Sequence, residues 1–308
     1  MLPAIVITLS IVALGYGLRQ VGLVPDDAWV YVGRLCYWVL FPGLLFNLMS
    51  RAPLGSGFVG SFILTLAIGS AVIVGYALLA GWLARLDGPS TSSLVQGALR
   101  HNGFLVLSIV QGAFGMAALE IVAIAIAFLV PISNIVSIVA LLSFKPRGQG
   151  GSLRRAVARE TMRNPLLAAI LAGVLVNLLA IPVPAFVTGV GKMLGNGALP
   201  LLLLGIGASL RFSAIQGDAV PLILAVVAKI LLFPFCLVMV GVQLGLDPLS
   251  LAVIAAVGAA PTATSSFALA SELGGNTRLM AEIISVQTLA AALSIPVWIW
   301  VSARMAAG

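Results

Sequence analysis

Arg100-His101-Asn102-Gly103-Phe104 and Ala260-Pro261-Thr262-Ala263-Thr264-Ser265 interrupt two long apolar runs near their middles, at corresponding places in the two halves of the chain. A helix broken at such a point exposes unpaired backbone N–H and C=O groups, which is costly in a dry interior unless another segment, water or a solute satisfies them. The N-terminal end of the half-helix that follows carries partial positive charge and suits a carboxylate or another anion. Pro261 removes one backbone donor and disfavours helical geometry at Ala260. Thr262, Thr264 and Ser265 set hydroxyls beside that break, and Gly103 permits a similar break in the first run. Arg100 adds a charge several residues inside an apolar run, where charge is expensive and by default functional. Its guanidinium can hold an anion in a bidentate manner. A structural role stays open beside that one: Arg100 snorkels to a boundary or bonds the loose carbonyls of the break. His101 is the only histidine, so neither a metal cluster nor a histidine relay is expected. It is either a neutral, packed imidazole or a group that titrates as protons move.

Other polar residues inside apolar runs have two readings each. Asn47, Asn134, Gln111 and Gln287 either line a site, with Gln111 and Gln287 as candidates for coupling or gating, or hydrogen-bond one helix to another. Glu120 and Glu282 are conceivable cation ligands, but both fall near expected helix N-termini, where an acidic side chain stabilises the helix dipole; the structural placement is preferred. Lys229 balances a buried carboxylate or snorkels. Asn177 marks an interface at the end of its run. Cys36 and Cys236 lack the spacing of a metal or redox motif and read as small packing residues.

The elements that must position these groups are membrane helices. Hydrophobic residues make up 61% of the 308 and charged residues 8%, and the mean hydropathy is +1.18, values outside the range of a soluble domain. Apolar runs long enough to cross a bilayer, about 17–25 residues each, are expected at 2–18, 28–50, 57–83, 92–116, 119–142, 164–181, 186–210, 219–244, 249–270 and 279–303. The runs are continuous rather than alternating, which favours helices over a barrel. The first run has no basic region before it and reads as a retained helix rather than a signal peptide. The fold class expected is therefore an all-α integral membrane protein with ten transmembrane helices.

A net charge of +7 reflects orientation, not nucleic-acid binding. Lys145, Arg147, Arg154, Arg155, Arg159 and Arg163 crowd the longest polar stretch, which the positive-inside rule makes cytoplasmic. Counting spans outward puts Arg19, Arg34, Arg85, Arg211 and Arg278 on the same side and Arg51, Lys192 and Arg304 opposite, so both termini are expected outside. The basic segment 143–163 then links two five-helix halves, 1–142 and 164–308, which an odd number of spans inverts relative to each other. Phe41-Pro42-Gly43-Leu44-Leu45 lies 158 positions before Leu199-Pro200-Leu201-Leu202-Leu203, and at that offset Asn102-Gly103 falls opposite Ala260-Pro261. Glu120-Ile121-Val122 resembles Glu282-Ile283-Ile284 at a slightly larger offset. Inverted repeats with interrupted helices in matching positions point to a secondary-transporter site near the midplane.

Ala13-Leu14-Gly15-Tyr16-Gly17-Leu18-Arg19 with Val21-Gly22-Leu23, then Leu40-Phe41-Pro42-Gly43-Leu44-Leu45-Phe46, and Pro261-Thr262-Ala263-Thr264-Ser265 followed by Ala270, resemble the auxin efflux carrier family in its bacterial branch, from end to end of the chain. The resemblance implies two inverted five-helix repeats, with spans 4 and 9 broken and crossing. It implies a scaffold of spans 1, 2, 6 and 7 and a transport domain of spans 3–5 and 8–10 moving like an elevator. Family members are often homodimers and carry organic anions, the bacterial ones dicarboxylates such as malate or malonate. By position Asn102 and Pro261 flank the crossover and Asn47 faces it. Gly103 stands where plant members have proline, and the long hydrophilic plant loop is missing, which argues against auxin as substrate. No cofactor is implied. The similar fold of bile-acid sodium symporters raises Na+ coupling, but no carboxylate stands beside Asn102 or Pro261, and uniport, H+ coupling and Na+ coupling all stay open. The partners expected are a small organic anion, the bilayer of a cell membrane and a second copy of the chain.

Rival classes are weaker. No P-loop lysine motif marks an ATPase, and no HExxH, GxSxG or intramembrane carboxylate pair marks an enzyme. A membrane receptor for an organic anion would need the same pocket as a carrier, and a channel differs by flux that does not saturate.

Overall fold

The computed structural model describes residues 2–144, 157, 158, 162, 164–210 and 219–306, and every regular element among them is helical. Lys145, Arg147, Arg154, Arg155, Arg159, Arg163 and Arg211 lie outside the described residues. In chain order the helices are α1 (Leu2–Gln20), α2 (Asp26–Leu35), α3 (Phe41–Met49), α4 (Phe58–Leu83), α5 (Gly88–Leu99), α6 (Gly103–Phe114), α7 (Met116–Ser143), α8 (Pro165–Leu178), α9 (Ala185–Ser209), α10 (Ala219–Val227), α11 (Phe233–Gln243), α12 (Pro248–Ala259), α13 (Ser265–Leu273) and α14 (Thr277–Met305). Wide π turns over Cys36–Leu40 and Ala228–Leu232 join α2 to α3 and α10 to α11.

Six stretches among the described residues are long and apolar enough to cross a bilayer: Asp26–Met49, Phe58–Leu83, Met116–Ser143, Ala185–Ser209, Ala219–Gln243 and Thr277–Met305. The other expected spans are divided or short. The run at 92–116 is split between α5 and α6, that at 249–270 between α12 and α13, and Val6–Gln20 and Pro165–Leu178 are shorter apolar helices. On α4 the outward Leu64, Val72, Leu79, Trp82 and Leu83 are as apolar as the buried Phe62, Leu66 and Ile73, the pattern of a helix with lipid on one side.

Each π turn precedes a Phe-Pro pair, Phe41-Pro42 and Phe233-Pro234. Proline has no N–H and its ring crowds the carbonyl four residues back. The extra residue of a π turn makes room, and Phe41 N and Phe233 N reach back to Cys36 O and Ala228 O. Ile230 O, which a non-proline residue at 234 would have bonded, instead accepts Trp298 Nε1 at 2.8 Å and Ser294 Oγ at 3.1 Å. The proline thus turns a helix defect into a lateral tie to α14.

Turn geometry recurs between the halves. Gly22 (φ 69°) and Ala180 (φ 52°) end α1 and α8 in left-handed conformations, with Leu23 N bonded to Leu18 O and Ile181 N to Val176 O. Arg85 (φ 53°) and Gly245 (φ 70°) end α4 and α11 in the same way, with Leu86 N on Gly81 O and Leu246 N on Gly241 O. This is the Schellman arrangement, which satisfies the last carbonyls of a helix. Pro25 and Pro184 then open α2 and α9, while Asp87 and Asp247 cap α5 and α12.

The chain folds as two compact units: Met1–Val59, Phe104–Ala127 and Met162–Leu210 form the first, and Gly60–Gly103, Phe128–Thr161 and Arg211–Gly308 the second. In the first unit α1 and α9 approach through glycine. A methyl group on Gly207 would overlap Val12 O, and one on Gly15 would overlap Leu204 O, so the two backbones touch in the small-residue mode of membrane helices. Gly207→Ala is expected to lower stability by about 1–3 kcal/mol, as overpacking does; thermal unfolding in detergent measures it, and an unchanged midpoint would show the contact to be slack. Asn177 Nδ2 donates to Met49 O and Ala52 O at 3.0 and 2.8 Å, tying the end of α8 to the end of α3.

Candidate functional site at the helix breaks

In the second unit the breaks lie between two short helices of the same design. α5 opens on Asp87, whose Oδ1 accepts from Ser90 N at 2.8 Å, and α12 on Asp247, whose Oδ1 accepts from Leu249 N and Ser250 N at 3.0 and 3.1 Å. Both carry proline in the first turn, where its missing N–H costs nothing. Both are buried from their third residue onward, Ser90–Leu99 and Ser250–Ala259. Both stop where one residue becomes extended, Arg100 at φ −65°, ψ 143° and Ala260 at φ −67°, ψ 140°. The two breaks then meet, Asn102 N donating to Pro261 O at 2.7 Å.

A broken helix end must place its last carbonyls, and the partners at the end of α5 come from three directions. Gln96 O accepts from Arg100 N at 2.9 Å. Gly97 O accepts from Gln287 Nε2 at 3.0 Å and lies 2.9 Å from Thr262 Oγ1. Leu99 O accepts from Lys229 Nζ at 3.5 Å, and that ammonium also sits 4.6 Å from the centre of the Phe233 ring. Gln287 reaches further, donating to Ala225 O at 2.9 Å and accepting from Thr262 N and Oγ1 at 2.9 and 2.7 Å. Thr262 and Gln287 therefore hold the crossing together.

Arg100 is 7% exposed. Nη1 donates to Asn134 Oδ1 on α7 at 2.7 Å and Nη2 to Ser265 Oγ, the first residue of α13, at 2.9 Å. Burial excludes the snorkelling role, and the two bonds hold the guanidinium plane between α7 and the start of α13. Three of the residues singled out from sequence thus share one cluster. Ser265 and Thr264 are exposed, Gly103 is half-buried, and Asn102 and Pro261 are buried. His101 is 6% exposed, and among the described residues neither ring nitrogen has a hydrogen-bond partner. Asn47, Gln111 and Glu120 belong to the first unit. There Asn47 is buried against Gly191, Gln111 is half-buried on α6, and Glu120 lies in the first turns of α7. Glu282 lies near the start of α14, 3.4 Å from Arg278 Nε.

Lys229 departs from both of its expected roles. It is fully buried, and no carboxylate among the described residues lies within ion-pair distance. Desolvating an ammonium costs several kcal/mol. Against that stand one long hydrogen bond and a cation–π contact of about 0.5–2 kcal/mol. Desolvation wins, so Lys229→Met, which keeps the stem and removes the charge, is expected to raise the thermal unfolding midpoint in detergent, by a gain of about 1–4 kcal/mol. A lower midpoint would mean that the ammonium is a net structural tie. Gln96, fully buried with neither amide atom partnered among the described residues, is not among the residues that sequence singles out; its signal is an amide one turn before Arg100.

Paired helix breaks with buried polar groups at their ends, in a chain with six long apolar helices among its described residues, are the features of a polytopic membrane protein. Residues 1–299 match the family model described as membrane transport protein, and the chain belongs to that family, the auxin efflux carrier-like one its motifs resemble. It is 25% identical over 298 residues to an "Uncharacterized transporter" of Methanothermobacter thermautotrophicus, covering 94% of each chain. It is 23% identical over 296 residues to a "Putative malonate transporter" of Rhizobium meliloti, covering 91% of each.

Proposed function

We propose that the chain is a secondary carrier of small organic anions, with carboxylates and dicarboxylates as the substrate class, held at the break between α5 and α6. The observation that carries this reading is Arg100: a buried guanidinium at a helix break, fixed by a neutral amide oxygen and a hydroxyl, in a chain of a transport family. A cation so placed attracts an anion strongly where the dielectric is low, and a planar fork suits a carboxylate. The name of the Rhizobium relative supports a dicarboxylate such as malonate.

The proposed architecture is ten spans in two inverted five-helix repeats, with spans 4 and 9 broken. Support comes from the paired turns at Gly22 and Ala180 and at Arg85 and Gly245, and from the matched half-helices α5 and α12. Alternating access by an elevator-like movement of spans 3–5 and 8–10 completes the proposal; the grouping of spans 1, 2, 6 and 7 in one compact unit supports it, although Phe104–Ala127, from spans 4 and 5, belongs to that unit as well.

Uptake of radiolabelled malonate and malate by the purified protein in liposomes, with Na+ and pH gradients varied separately, tests the reading. Saturable flux with counterflow is expected. Binding without flux would make the chain a receptor, and no response to any mono- or dicarboxylate would end the anion assignment.

A further inference from the structure

Lys229, in the π turn between α10 and α11, is fully buried, and its Nζ lies 3.5 Å from Leu99 O and 4.6 Å from the centre of the Phe233 ring. The carboxylates of α5, α12 and α14, which pack against that turn, are engaged elsewhere: Asp87 and Asp247 cap α5 and α12, and Glu282 lies beside Arg278. Leu99 ends α5, and a helix C-terminus carries roughly half a negative charge, so the ammonium faces the negative end of a broken helix. The other break shows that closing a half-helix requires no such charge. α12 stops at Ala260 in the same backbone geometry as α5 at Arg100. The offset of 160 positions that separates Arg85 from Gly245, Asp87 from Asp247 and Arg100 from Ala260 also separates Gly69 from Lys229. Gly69 lies on α4, whose residues Phe58–Leu83 include no charged side chain, and a Cβ there would overlap Leu237 Cδ2. One break thus receives a buried cation from its span, and the matching span offers none to the other. A charge that the fold does not need, kept in a dry interior at a cost in stability, points to a use in function.

We propose that Lys229 is a tethered cation in the place of a coupling Na+, so that anion movement at the α5–α6 break needs no Na+. In carriers built on interrupted helices, anionic groups face half-helix N-terminal ends, while unwound carbonyls and half-helix C-terminal ends coordinate the coupling cation. Here the C-terminal end of α5 already holds a cation, carried by a side chain. A Na+ brought to Leu99 O would meet that ammonium, and two like charges in contact repel strongly where the dielectric is low. Leu99 precedes Arg100, so the ammonium and the guanidinium serve consecutive residues of one break, and both attract the same anion. A free ion must bind and leave in every cycle; a lysine side chain stays. The inference rests on the anion-carrier reading and adds to it the source of the second positive charge.

The test is initial uptake of radiolabelled malonate by the full-length protein in liposomes, with Na+ on both sides of the membrane or with K+ in its place, read beside the thermal unfolding midpoint in detergent. Two neutral variants are compared with the unaltered protein: Lys229→Met, which keeps the stem, and Lys229→Gln, which keeps a donor for Leu99 O. The unaltered protein is expected to take up malonate at rates within about twofold of each other in Na+ and in K+. Both variants should lose at least about tenfold in rate, equivalent to about 1.4 kcal/mol, while the Lys229→Met midpoint stays level or rises. A structural tie cannot give that combination, because its loss lowers stability and flux together. Uptake by the unaltered protein that requires Na+ would overturn the proposal, and so would Lys229→Met uptake at the unaltered rate or a loss of flux accompanied by a lowered midpoint. Absence of carboxylate flux in the unaltered protein would instead sink the carrier reading, and this inference with it.

Discussion

Arg100→Lys should reduce malonate uptake at least tenfold while the protein stays folded. Lysine keeps the charge, so the substitution isolates geometry. A guanidinium presents a planar fork that reaches Asn134 Oδ1 with one Nη and Ser265 Oγ with the other; an ammonium is a compact point charge that cannot hold both directions and present a plane. Hydrogen bonds to a charged group contribute about 1.5–3 kcal/mol each, and about 1.4 kcal/mol is tenfold in an equilibrium constant. One lost bond to a carboxylate therefore gives roughly tenfold to hundredfold. Arg100→Gln, which removes the charge as well, should lie lower still. Asn134→Ala should cost less than either, because the charge remains and only its tether on α7 goes. Initial rates in liposomes give the ranking, and protection by malonate against thermal unfolding gives a second readout independent of flux: present in the unaltered protein, absent in Arg100→Lys. Uptake by Arg100→Lys at the unaltered rate would remove Arg100 from the substrate site and leave it a tie between α7 and α13.

How much of this cluster can be read from residues alone depends on which features are local. Both breaks are legible because their causes sit in a few consecutive residues: Pro261 and the hydroxyls after it, and a charge followed by Asn102-Gly103. The start of α5 has a local signal too, yet hydropathy begins the apolar run only at 92. Aspartate followed by Gly-Pro is a cap and first-turn signal, and the buried turn it opens is polar, Ser90 to Ser93, so a hydropathy criterion passes over it. The left-handed Arg85 carries no such signal, because most positive-φ positions are filled by glycine. What no local pattern contains is the choice of partner. An amide inside a span reads the same whether it lines a site or bonds a neighbour, and only the fold places Gln287 against Gly97, Ala225 and Thr262. For Lys229 the sequence offers a carboxylate or the membrane surface, and the structure supplies a third partner that composition cannot announce, the carbonyl end of a broken helix.

Gln287→Leu is expected to cost more stability than any other single substitution at the crossing. The orientation of its amide is fixed by its partners: Thr262 N can only donate, so it faces Oε1, while Gly97 O and Ala225 O can only accept, so they face Nε2. All lie where no water reaches, since Gln287 and Thr262 are both 0% exposed. Leucine matches the volume and removes every one of these bonds. The Thr262 hydroxyl, freed from Gln287, can turn to Gly97 O 2.9 Å away, but Thr262 N is stranded, at about 1–3 kcal/mol for an unsatisfied buried group, and Ala225 O loses the amide as a donor, at about 0.5–1.5 kcal/mol. The sum, on the order of 2–4 kcal/mol, is a large share of a typical stability of about 5–15 kcal/mol. Gln287→Glu should be comparably damaging for a different reason, because it turns an oxygen toward two carbonyl oxygens. Thr262→Val removes one hydroxyl and leaves the N–H bond to Gln287, so a loss of about 1 kcal/mol is expected. In the double variant with Gln287→Leu the losses should fall short of additive, since the two residues share a bond. Thermal unfolding and size-exclusion profiles in detergent measure all four. A Gln287→Leu midpoint close to that of the unaltered protein would show that the crossing of the two breaks does not depend on this amide.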